Sequence, residues 1–531
     1  MNNMQILDCT LRDGGYINDW KFGLNVIQDI IGKLIEANID LIEVGFLRDC
    51  DYDVNKTLFN NCKEIANILP KHKRNSQFVA MILHNLYDIN KLENYDGKTI
   101  EFLRITFHDY DIDEGLQYIA KVQQKGYKVF CNPINIMGYS DKEILELIQK
   151  VNIIKPYAFS IVDTFGSMDR KDLIRIYALC AKNLHPDIVI GLHLHENLNS
   201  SFALAQDFLN MADLKRRHTC DGSLFGMGRI PGNLCIELLA SYLNKEFACN
   251  YDVDYLLDAI DDHILKLKKI EEWGYNIAYA LSAKHNLHRN YSEFLLNKGK
   301  ITSKQINQIL SQIEPHKKTA FDKNYIEELY LKFQNVNIDD RQSCEILKKI
   351  LQDANILLLA PGKSLENDEQ VIVDYIEKYK PIVISLNFYT DGFKCKFAFF
   401  SNNKRFSFFK KELKEGKYII TSNIKDEVGY KQLVFDYYKL AFLNGVLYDN
   451  CTIMLLKLLI NIGIRKVSIA GFDGFLEECY FDFALNTNAS YQNALENNQK
   501  IKNRLNSLNK EIDLNFITPS IFEECFKTQG K

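Results

Sequence analysis

Two histidines and one aspartate form the clearest chemical pattern in this chain of 531 residues. The stretch GLHLHENL places His193 and His195 two positions apart in an apolar, strand-like run. Because side chains alternate between the two faces of a β-strand, both imidazoles are expected on one face. Asp13 follows the first strand-like run, in LDCTLRDGG. One carboxylate and two imidazoles can hold a divalent cation and leave coordination positions open, so the pattern predicts a metal site.

Other polar residues end neighbouring strand-like runs and extend this predicted site. Glu43 lies near the end of the second run, where it could orient Arg12 or a water molecule. Arg104 lies within the fourth run, where it could bind a substrate carboxylate or fill the interior. Residues expected to contact substrate near the ends of the fifth and sixth runs are Asn132, Asn135, Asp163 and Thr164. For the metal we expect Mn²⁺ or Mg²⁺, with Co²⁺ or Zn²⁺ as alternatives.

The elements that must position these residues are eight strand-like runs in the first 225 residues. The runs are 4–9, 39–46, 77–83, 100–107, 127–134, 157–164, 188–195 and 217–224. Each is separated from the next by enough chain for a helix, which predicts a TIM (β/α)8 barrel, with a doubly wound sheet as the alternative. A barrel gathers the carboxyl ends of its strands around one mouth, so Asp13 is expected to face the two histidines there.

The rest of the chain predicts two further regions. We expect the barrel over residues 1–250, a charged helical extension and linker over 251–350, and a smaller Rossmann-like α/β domain over 351–531. The APGKS stretch of the last region is not a Walker A motif, because Leu357 stands where that motif requires its first glycine. Its strand–turn–helix pattern still favours anion binding at the turn.

Composition excludes several classes of function. The net charge of −4 argues against a nucleic-acid partner. The 13 cysteines include no CxxC pair, which favours reduced thiols and a cytoplasmic location. No apolar run reaches the roughly 18 residues that a membrane span needs. The polar start of the chain predicts no signal peptide.

Several motifs together resemble the DRE-TIM metallolyases, a family that includes 4-hydroxy-2-oxovalerate aldolase, HMG-CoA lyase and the isopropylmalate and citramalate synthases. The motifs are LDCTLRDGG, IEVGF, VDTFGSM, GLHLHENL and DGSLFGMGRIPGN, in the family's order between Met4 and Ala240. The aldolase branch is the most similar. The resemblance implies that Asp13, His193 and His195 ligate the metal and that Asn233 can add a ligand. It also makes Arg12 the enolate-stabilising arginine.

The resemblance implies a class II, metal-dependent aldolase or lyase that makes or breaks a C–C bond through a pyruvate-type enolate. The expected partners are a 2-oxo acid such as pyruvate and an aldehyde or sugar acceptor, in a homo-oligomer. The aldolase branch carries a histidine where this chain has Tyr16. The general base could therefore be Tyr16 with a lowered pKa, a metal-bound hydroxide, His84 or His108; otherwise Tyr16 only positions substrate.

The last region resembles the sialyltransferase-like glycosyltransferase folds in LLLAPGKSL and in the segment from Asn450 to Phe475. This resemblance implies a nucleotide-sugar site and a role in surface-polysaccharide or unusual-sugar biosynthesis. The candidate contacts are Gly362, Ser364, Asn387 and Asp473. The region holds no histidine, so a histidine base of that family is absent. Two alternatives for the whole chain are a Claisen-type acyl-CoA synthase and a glycosyltransferase whose barrel is a scaffold.

Overall fold

The computed structural model describes residues 3–526 apart from 214, 230, 413–417, 425–432, 444, 445, 448 and 476–490. The chain forms two compact units. The first comprises Met1–Arg289 and Glu314–Phe321, and the second comprises Asn290–Ile313 and Asp322–Lys531. The predicted helical segment 251–350 is therefore shared between the two units.

The first unit contains a closed parallel barrel of eight strands, which confirms the predicted TIM barrel. Strand β1 pairs with β2 on one side and with β9 on the other, and this pairing closes the sheet. Only the short β3 lies outside the barrel, at the end of β2. The strands are β1 (Met4–Asp8), β2 (Leu41–Leu47), β3 (Leu58–Phe59), β4 (Gln77–Leu83), β5 (Phe102–Phe107), β6 (Lys128–Pro133), β7 (Ala158–Val162), β8 (Val189–His193) and β9 (His218–Gly222).

Helices follow the strands and cover the outside of the barrel. They are α1 (Leu24–Glu36), α2 (Cys62–Ala66), α3 (Ile112–Gln124), α4 (Asp141–Ile154), α5 (Arg170–Asn183), α6 (Ser201–Met211), α7 (Ile236–Phe247), α8 (Val253–Ala259), α9 (Leu265–Lys268) and α10 (Ile277–Lys284). A π-helical turn, Ile260–Ile264, joins α8 to α9. Helix α1 illustrates why these helices pack on the barrel. One face of it carries a buried apolar stripe at helical spacing, formed by Ile27, Ile30, Ile31, Leu34 and Ile35.

The interior of the barrel is layered by the two-residue period of its strands. An apolar layer consists of Leu7, Leu41, Val79, Phe102, Phe130, Ala158 and Val189. Two residues further along three of these strands stand Glu43, Arg104 and Asn132, all buried. Since alternate residues of a strand share a face, these polar side chains point into the barrel above the apolar layer. The polar layer thus faces the carboxyl ends of the strands, where barrel active sites lie.

The second unit is built on a parallel seven-stranded sheet in the order β14-β13-β12-β11-β10-β17-β18, which confirms a second parallel α/β domain. Its strands are β10 (Ile356–Leu359), β11 (Ile382–Leu386), β12 (Phe397–Phe400), β13 (Tyr418–Thr421), β14 (Leu433–Phe435), β17 (Lys466–Ala470) and β18 (Asp513–Phe516). A two-stranded ribbon, β15 (Phe442–Leu443) with β16 (Val446–Leu447), stands apart from the sheet. The strand order reverses between β10 and β17, the position where doubly wound folds bind ligands.

The described helices of the second unit flank this sheet or precede it. They are α11 (Asn290–Asn297), α12 (Ser303–Leu310), α13 (Lys323–Gln334), α14 (Arg341–Leu351), α15 (Ser364–Asn367), α16 (Glu369–Tyr379), α17 (Asn403–Phe409), α18 (Tyr437–Ala441), α19 (Cys451–Asn461) and α20 (Tyr491–Leu508). Across the described parts of both units, no helix combines the length and apolarity that crossing a bilayer requires.

Candidate metal centre at the barrel mouth

Asp13, His193 and His195 converge at the mouth of the barrel. One side-chain donor atom from each lies within 4.8 Å of the other two. His193 ends β8, and His195 follows it in a backbone bridge with Asn233. The Nδ1 atom of His195 lies 2.9 Å from the carbonyl oxygen of Asp163, which assigns the proton to Nδ1. Its Nε2 atom, 3.8 Å from Asp13 Oδ2, is thereby left with a lone pair for a cation.

Asn233 completes the cluster from the loop after β9. Its Nδ2 donates to Asp13 Oδ2 at 2.6 Å and to the carbonyl oxygen of Met227 at 3.2 Å. Its amide oxygen is buried and has no hydrogen-bond partner among the described residues. A Cβ at Gly228 would lie 2.1 Å from Asn233 Nδ2 and 2.9 Å from Asp13 Oδ2. Only glycine therefore lets this loop approach the cluster so closely.

Glu43 links two buried arginines beneath the cluster. One of its oxygens, Oε2, accepts from Arg12 Nε at 2.8 Å and from Arg104 Nη1 at 2.9 Å. Arg12 Nη1 also donates to Asp13 Oδ1 at 2.6 Å. Glu43 therefore contacts Arg12 directly, as its predicted orienting role requires. Arg104 lies against Glu43 and not at the open mouth.

Asp221 continues this network to the second metal-site histidine. Arg104 Nη2 donates to Asp221 Oδ2, which lies 3.2 Å from His193 Nδ1. We define the charged network as Asp13, Arg12, Glu43, Arg104 and Asp221. The sequence analysis missed Asp221, although the strand period offered a signal. Asp221 pairs in register with the inward-facing Leu7, which places its side chain in the interior as well.

The protonation states of the cluster suit cation binding. Burial opposes ionisation of Asp13, but the positive charge of Arg12 and the hydrogen bond from Asn233 outweigh it, so the pKa of Asp13 lies below its ordinary value. Burial lowers the pKa of both His193 and His195, which keeps the imidazoles neutral. In the charged network the guanidinium groups of Arg12 and Arg104 bond to the carboxylates of Asp13, Glu43 and Asp221.

These residues fit a divalent metal. The donor set comprises one ionised carboxylate, two neutral imidazoles and the unpartnered amide oxygen of Asn233. A buried polar atom without a partner costs free energy, and a cation at this position would satisfy it. Mixed nitrogen and oxygen donors are typical of Mn²⁺ and related divalent ions.

Arg12 has one nitrogen left for substrate. Its Nε and Nη1 bond to Glu43 and Asp13, whereas Nη2 has no hydrogen bond to any described residue. Trp20 Nε1 donates to the carbonyl oxygen of Arg12 at 2.7 Å and fixes the loop after β1. A Cβ at Gly15 would lie 2.0 Å from the Trp20 ring, which explains one glycine of the LRDGG motif.

The residues predicted to contact substrate also form hydrogen bonds within the protein. Asp163 accepts from the backbone N–H groups of Ser167 at 2.9 Å and Met168 at 3.0 Å, and burial raises its pKa to about 6. Thr164 Oγ1 accepts from the backbone N–H of Asn135 at 2.7 Å. The amide oxygen of Asn132 accepts from Arg104 Nη2 at 2.8 Å. These contacts shape the mouth and orient the charged network.

Tyr16 lies at the edge of the site with 43% of its surface exposed. Its ring packs edge-on against Trp20, with centroids 4.7 Å apart, and the Arg229 guanidinium lies 5.7 Å from its centroid. Burial of the hydroxyl and the negative charge of Asp13 raise the pKa of Tyr16. With its pKa raised in this way, the phenol is protonated at neutral pH in the metal-free site and can donate a hydrogen bond.

The two other histidines considered as bases are held by protein groups. His84 Nδ1 lies 3.1 Å from the carbonyl oxygen of Thr106, and its Nε2 lies 3.3 Å from Asp111 Oδ2. His108 stacks on Tyr110, with ring centroids 4.8 Å apart. Burial lowers the pKa of His108.

In the second unit, the structure brings together three of the four candidate residues. Ser364 donates to Asp473 through its backbone N–H at 2.8 Å and its hydroxyl at 2.5 Å. A Cβ at Gly362 would lie 2.4 Å from Asp473 Cγ. Asn387 belongs to a different turn, where its amide oxygen accepts from the N–H of Ser401 at 3.0 Å. The hydroxyl oxygen of Thr518, a residue that the sequence analysis missed, lies 2.9 Å from the Ser364 hydroxyl oxygen.

Comparisons with known proteins bear on the barrel. Residues 3–262 match the HMGL-like family profile. Oxaloacetate decarboxylase of Mycobacterium tuberculosis is 24% identical over 277 residues, which cover 49% of this chain and 76% of the relative. A 4-hydroxy-2-oxovalerate aldolase of Pseudoalteromonas translucida is 22% identical over 298 residues, covering 54% and 83%.

Among solved structures, the N-terminal domain of a candidate aldolase from Bacteroides vulgatus aligns with a TM-score of 0.48 at 23% identity, covering 55% of this chain and 96% of that one. The hydroxymethylglutaryl-CoA lyase of Pseudomonas aeruginosa aligns with a TM-score of 0.41 at 16% identity, covering 55% and 97%. Over residues 3–262 the chain is therefore similar to the HMGL-like family, and its listed relatives include a 4-hydroxy-2-oxovalerate aldolase and an oxaloacetate decarboxylase.

Proposed function

We propose that the barrel is a metal-dependent, class II carbon–carbon lyase or aldolase that works through the enolate of a pyruvate-type 2-oxo acid. The observation that carries this proposal is the convergence of Asp13, His193 and His195 beside an arginine with an unused nitrogen. A carboxylate and two imidazoles suit a Lewis acid, and a guanidinium suits the oxygen on which enolate charge develops.

Each residue of the site has a distinct task in this proposal. Asp13, His193 and His195 would hold the cation, with the amide oxygen of Asn233 as a further donor. A bound divalent cation would supply Lewis-acid stabilisation of the charge that develops on the keto oxygen. Arg12 donates to that oxygen through Nη2 and cannot accept a proton itself, because a guanidinium stays protonated.

Glu43 and Arg104 prevent Arg12 from turning away from the substrate. The shared Glu43 oxygen fixes the Arg12 side chain through Nε, which leaves the terminal nitrogen aimed at the open mouth. Protonated Tyr16 donates at the edge of the site, where the acceptor aldehyde would lie. Preorganised donors of this type stabilise developing charge without reorganisation during the reaction.

The names of the relatives favour one shared intermediate. Cleavage of a 4-hydroxy-2-oxo acid releases an aldehyde and leaves the enolate of a 2-oxo acid, and decarboxylation of oxaloacetate leaves the enolate of pyruvate. In the direction of synthesis, the enolate carbon forms a bond to the aldehyde carbon, and the aldehyde oxygen takes up one proton. No other co-reactant is required.

Exchange of the methyl protons of pyruvate with solvent deuterium tests this proposal. The protein stripped with a chelator is expected to lose exchange, and Mn²⁺ or Mg²⁺ is expected to restore it. Asp13→Asn and His193→Gln should each lower the exchange rate at least 100-fold, followed by proton NMR. His185→Gln is the matched control, because His185 lies at the amino end of the barrel beside Asp187.

Two results would reject the proposal. Exchange that persists without metal would remove the role of the cation, and exchange that survives His193→Gln would remove the role of the cluster. The Claisen-type alternative instead predicts release of free CoA from an acyl-CoA. The scaffold alternative predicts glycosyl transfer that is insensitive to His193→Ala.

A second activity is proposed for the other unit because of its topology. The turns after β10 and β17, which carry Gly362, Ser364 and Asp473, meet at the reversal of strand order. Ligands of doubly wound sheets bind in the crevice at such a point. We propose that a nucleotide-sugar binds there. With this site, the proposed function extends to unusual-sugar or surface-polysaccharide biosynthesis in the cytoplasm. The protein would act as a homo-oligomer on a sugar-derived acceptor.

Calorimetry with CMP-, UDP-, GDP- and dTDP-sugars on the full chain tests the second site. One nucleotide family is expected to bind saturably, and Asp473→Asn is expected to weaken it at least tenfold. Asp513→Asn, at the amino end of the edge strand β18, is the control. Binding that Asp473→Asn leaves unchanged would place the nucleotide elsewhere, and no binding of any of the four families would reject the site.

A further inference from the structure

Two arginines flank the loop that carries Arg12, Asp13 and Tyr16. Arg48 directly follows β2, and Arg229 lies in the loop after β9. Strands β2 and β9 are the two neighbours of β1 in the closed barrel. Both arginines therefore stand at the carboxyl ends of strands, one on each side of the loop after β1.

Both guanidinium groups contact one aromatic pair. Arg229 Cζ lies 5.7 Å from the centroid of the Tyr16 ring, and Arg48 Cζ lies 6.0 Å from that of Trp20. The two rings are 4.7 Å apart and pack edge to face. The positive charges thus border a common aromatic surface, in a position to act on a ligand lying against it.

Neither arginine is neutralised by a carboxylate of the described residues. The side-chain contacts of Arg229 are the Tyr16 ring and His288 Nε2, at 3.3 Å. Asp49, the carboxylate next to Arg48 in sequence, forms an ion pair with Lys91, whose Nζ lies 2.6 Å from Asp49 Oδ1. In contrast, the two arginines of the charged network bond to carboxylates. Arg12 bonds to Asp13 and Glu43, and Arg104 bonds to Glu43 and Asp221.

Arg229 places the Tyr16–Trp20 surface next to the candidate metal centre. The preceding residue, Gly228, lies so close to Asp13 that a Cβ there would be 2.9 Å from Asp13 Oδ2. Both arginines are half-buried, so a ligand can reach them while water is partly excluded. A half-buried arginine without a counter-charge is well suited to a bidentate contact with a carboxylate or a phosphate.

We propose that Arg48 and Arg229, across the Tyr16–Trp20 pair, form a subsite for an anionic group on the acceptor aldehyde. The group is a carboxylate or a phosphate, separate from the carboxylate of the 2-oxo acid. The inference rests on the proposed function, because it assigns the second substrate of that reaction. It makes the two arginines specificity determinants, whereas Arg12 serves the enolate.

Matched pairs of aldehydes test this subsite in the metal-loaded full-length protein with pyruvate. Succinic semialdehyde is compared with butanal, and glyceraldehyde 3-phosphate with glyceraldehyde. We expect kcat/KM for C–C bond formation to be at least 30-fold higher for the charged member of one pair. The carboxylate pair and the phosphate pair then tell the two sources of negative charge apart.

Substitutions of Arg48 and Arg229 show whether these residues cause the preference for a charged aldehyde. Arg229→Met and Arg48→Met should each reduce the charged-to-neutral ratio of kcat/KM at least tenfold, and Arg229→Lys should restore part of it. Arg217→Met is the matched control, since this guanidinium lies 5.1 Å from the Tyr157 ring at the amino end of the barrel. Thermal melting identifies any variant that fails to fold, in which case the lysine variant carries the test.

The outcomes separate this inference from the proposed function. Wild-type protein that exchanges pyruvate protons but uses charged and neutral aldehydes equally overturns the subsite alone. A charged-aldehyde preference that survives both methionine variants also overturns it. Absence of metal-dependent exchange in the wild-type protein overturns the proposed function, and the subsite falls with it.

Discussion

The Nδ2 atom of Asn233 donates to Asp13 Oδ2 at 2.6 Å, while its buried amide oxygen has no hydrogen-bond partner in the part of the chain that the structure describes. One side chain therefore orients a metal-site carboxylate and presents an unused oxygen beside it. Residues that orient or supplement metal ligands commonly contribute about 10- to 100-fold in affinity.

Replacing Asn233 by alanine is expected to weaken Mn²⁺ binding by about 10- to 100-fold, because the substitution removes both contacts. Isothermal titration of the chelator-treated protein measures the change. Asn152→Ala is the control, since the Asn152 amide bonds to the carbonyl oxygen of Asn183, away from the strands' carboxyl ends. Equal Mn²⁺ affinity in the two variants would contradict a role for Asn233.

Changing Glu43 to glutamine removes the negative charge shared by Arg12 and Arg104. A buried ion pair that loses one partner typically costs about 3–5 kcal/mol, so we expect a lower melting temperature. The rate of pyruvate proton exchange should fall about 100-fold because Arg12 loses its fixed orientation. The control is Glu101→Gln, whose partner Lys128 lies at the amino end of the barrel. A normal exchange rate in Glu43→Gln would show that Arg12 needs no orientation.

Tyr16→Phe separates the two roles considered for this phenol. Because burial and Asp13 raise the pKa of Tyr16, we expect it to donate to the acceptor and not to remove a proton from pyruvate. Aldol addition should therefore fall at least tenfold more than pyruvate exchange. NMR follows both reactions in the same sample. An equal loss of both rates would instead indicate that the phenol takes part in enolisation.

His218 predicts a pH dependence of stability outside the site. Its Nε2 accepts from the Tyr177 hydroxyl at 3.1 Å, Nδ1 lies 3.1 Å from the Arg216 carbonyl oxygen, and burial lowers its pKa to about 4. The unfolded chain takes up a proton near pH 6.5, whereas the folded chain does so only near pH 4. The stability contribution of this group is therefore full above pH 6.5 and declines as pH falls towards 4, by at most about 1.4 kcal/mol per pH unit.

Melting temperatures of His218→Gln and the wild-type protein between pH 4.5 and 8 measure this effect. The stability advantage of the wild-type protein should be largest above pH 6.5 and shrink on acidification. His72→Gln serves as the control, because His72 is an exposed loop residue. A wild-type advantage that is constant with pH would contradict the lowered pKa.

The sequence by itself determined the barrel and indicated the three residues, Asp13, His193 and His195, that converge at its mouth. Alternating apolar runs and helical stretches predicted the eight strands, since the two-residue period and helical spacing are local properties of the chain. The same period predicted that His193 and His195 share a face. The edge strands β14 and β18 were not predicted from the sequence.

The tertiary structure alone decided how the polar layer is connected. Glu43, Arg104 and Asp221 lie on three different strands, and their pairing follows from barrel closure, which joins residues 61 and 117 positions apart. The hydrogen-bond partners of Asp163 and Asn132 within the protein were likewise visible only in the tertiary structure. Hydrogen-bond partners depend on side chains brought together across the barrel, whereas a linear pattern specifies only the face on which each side chain stands.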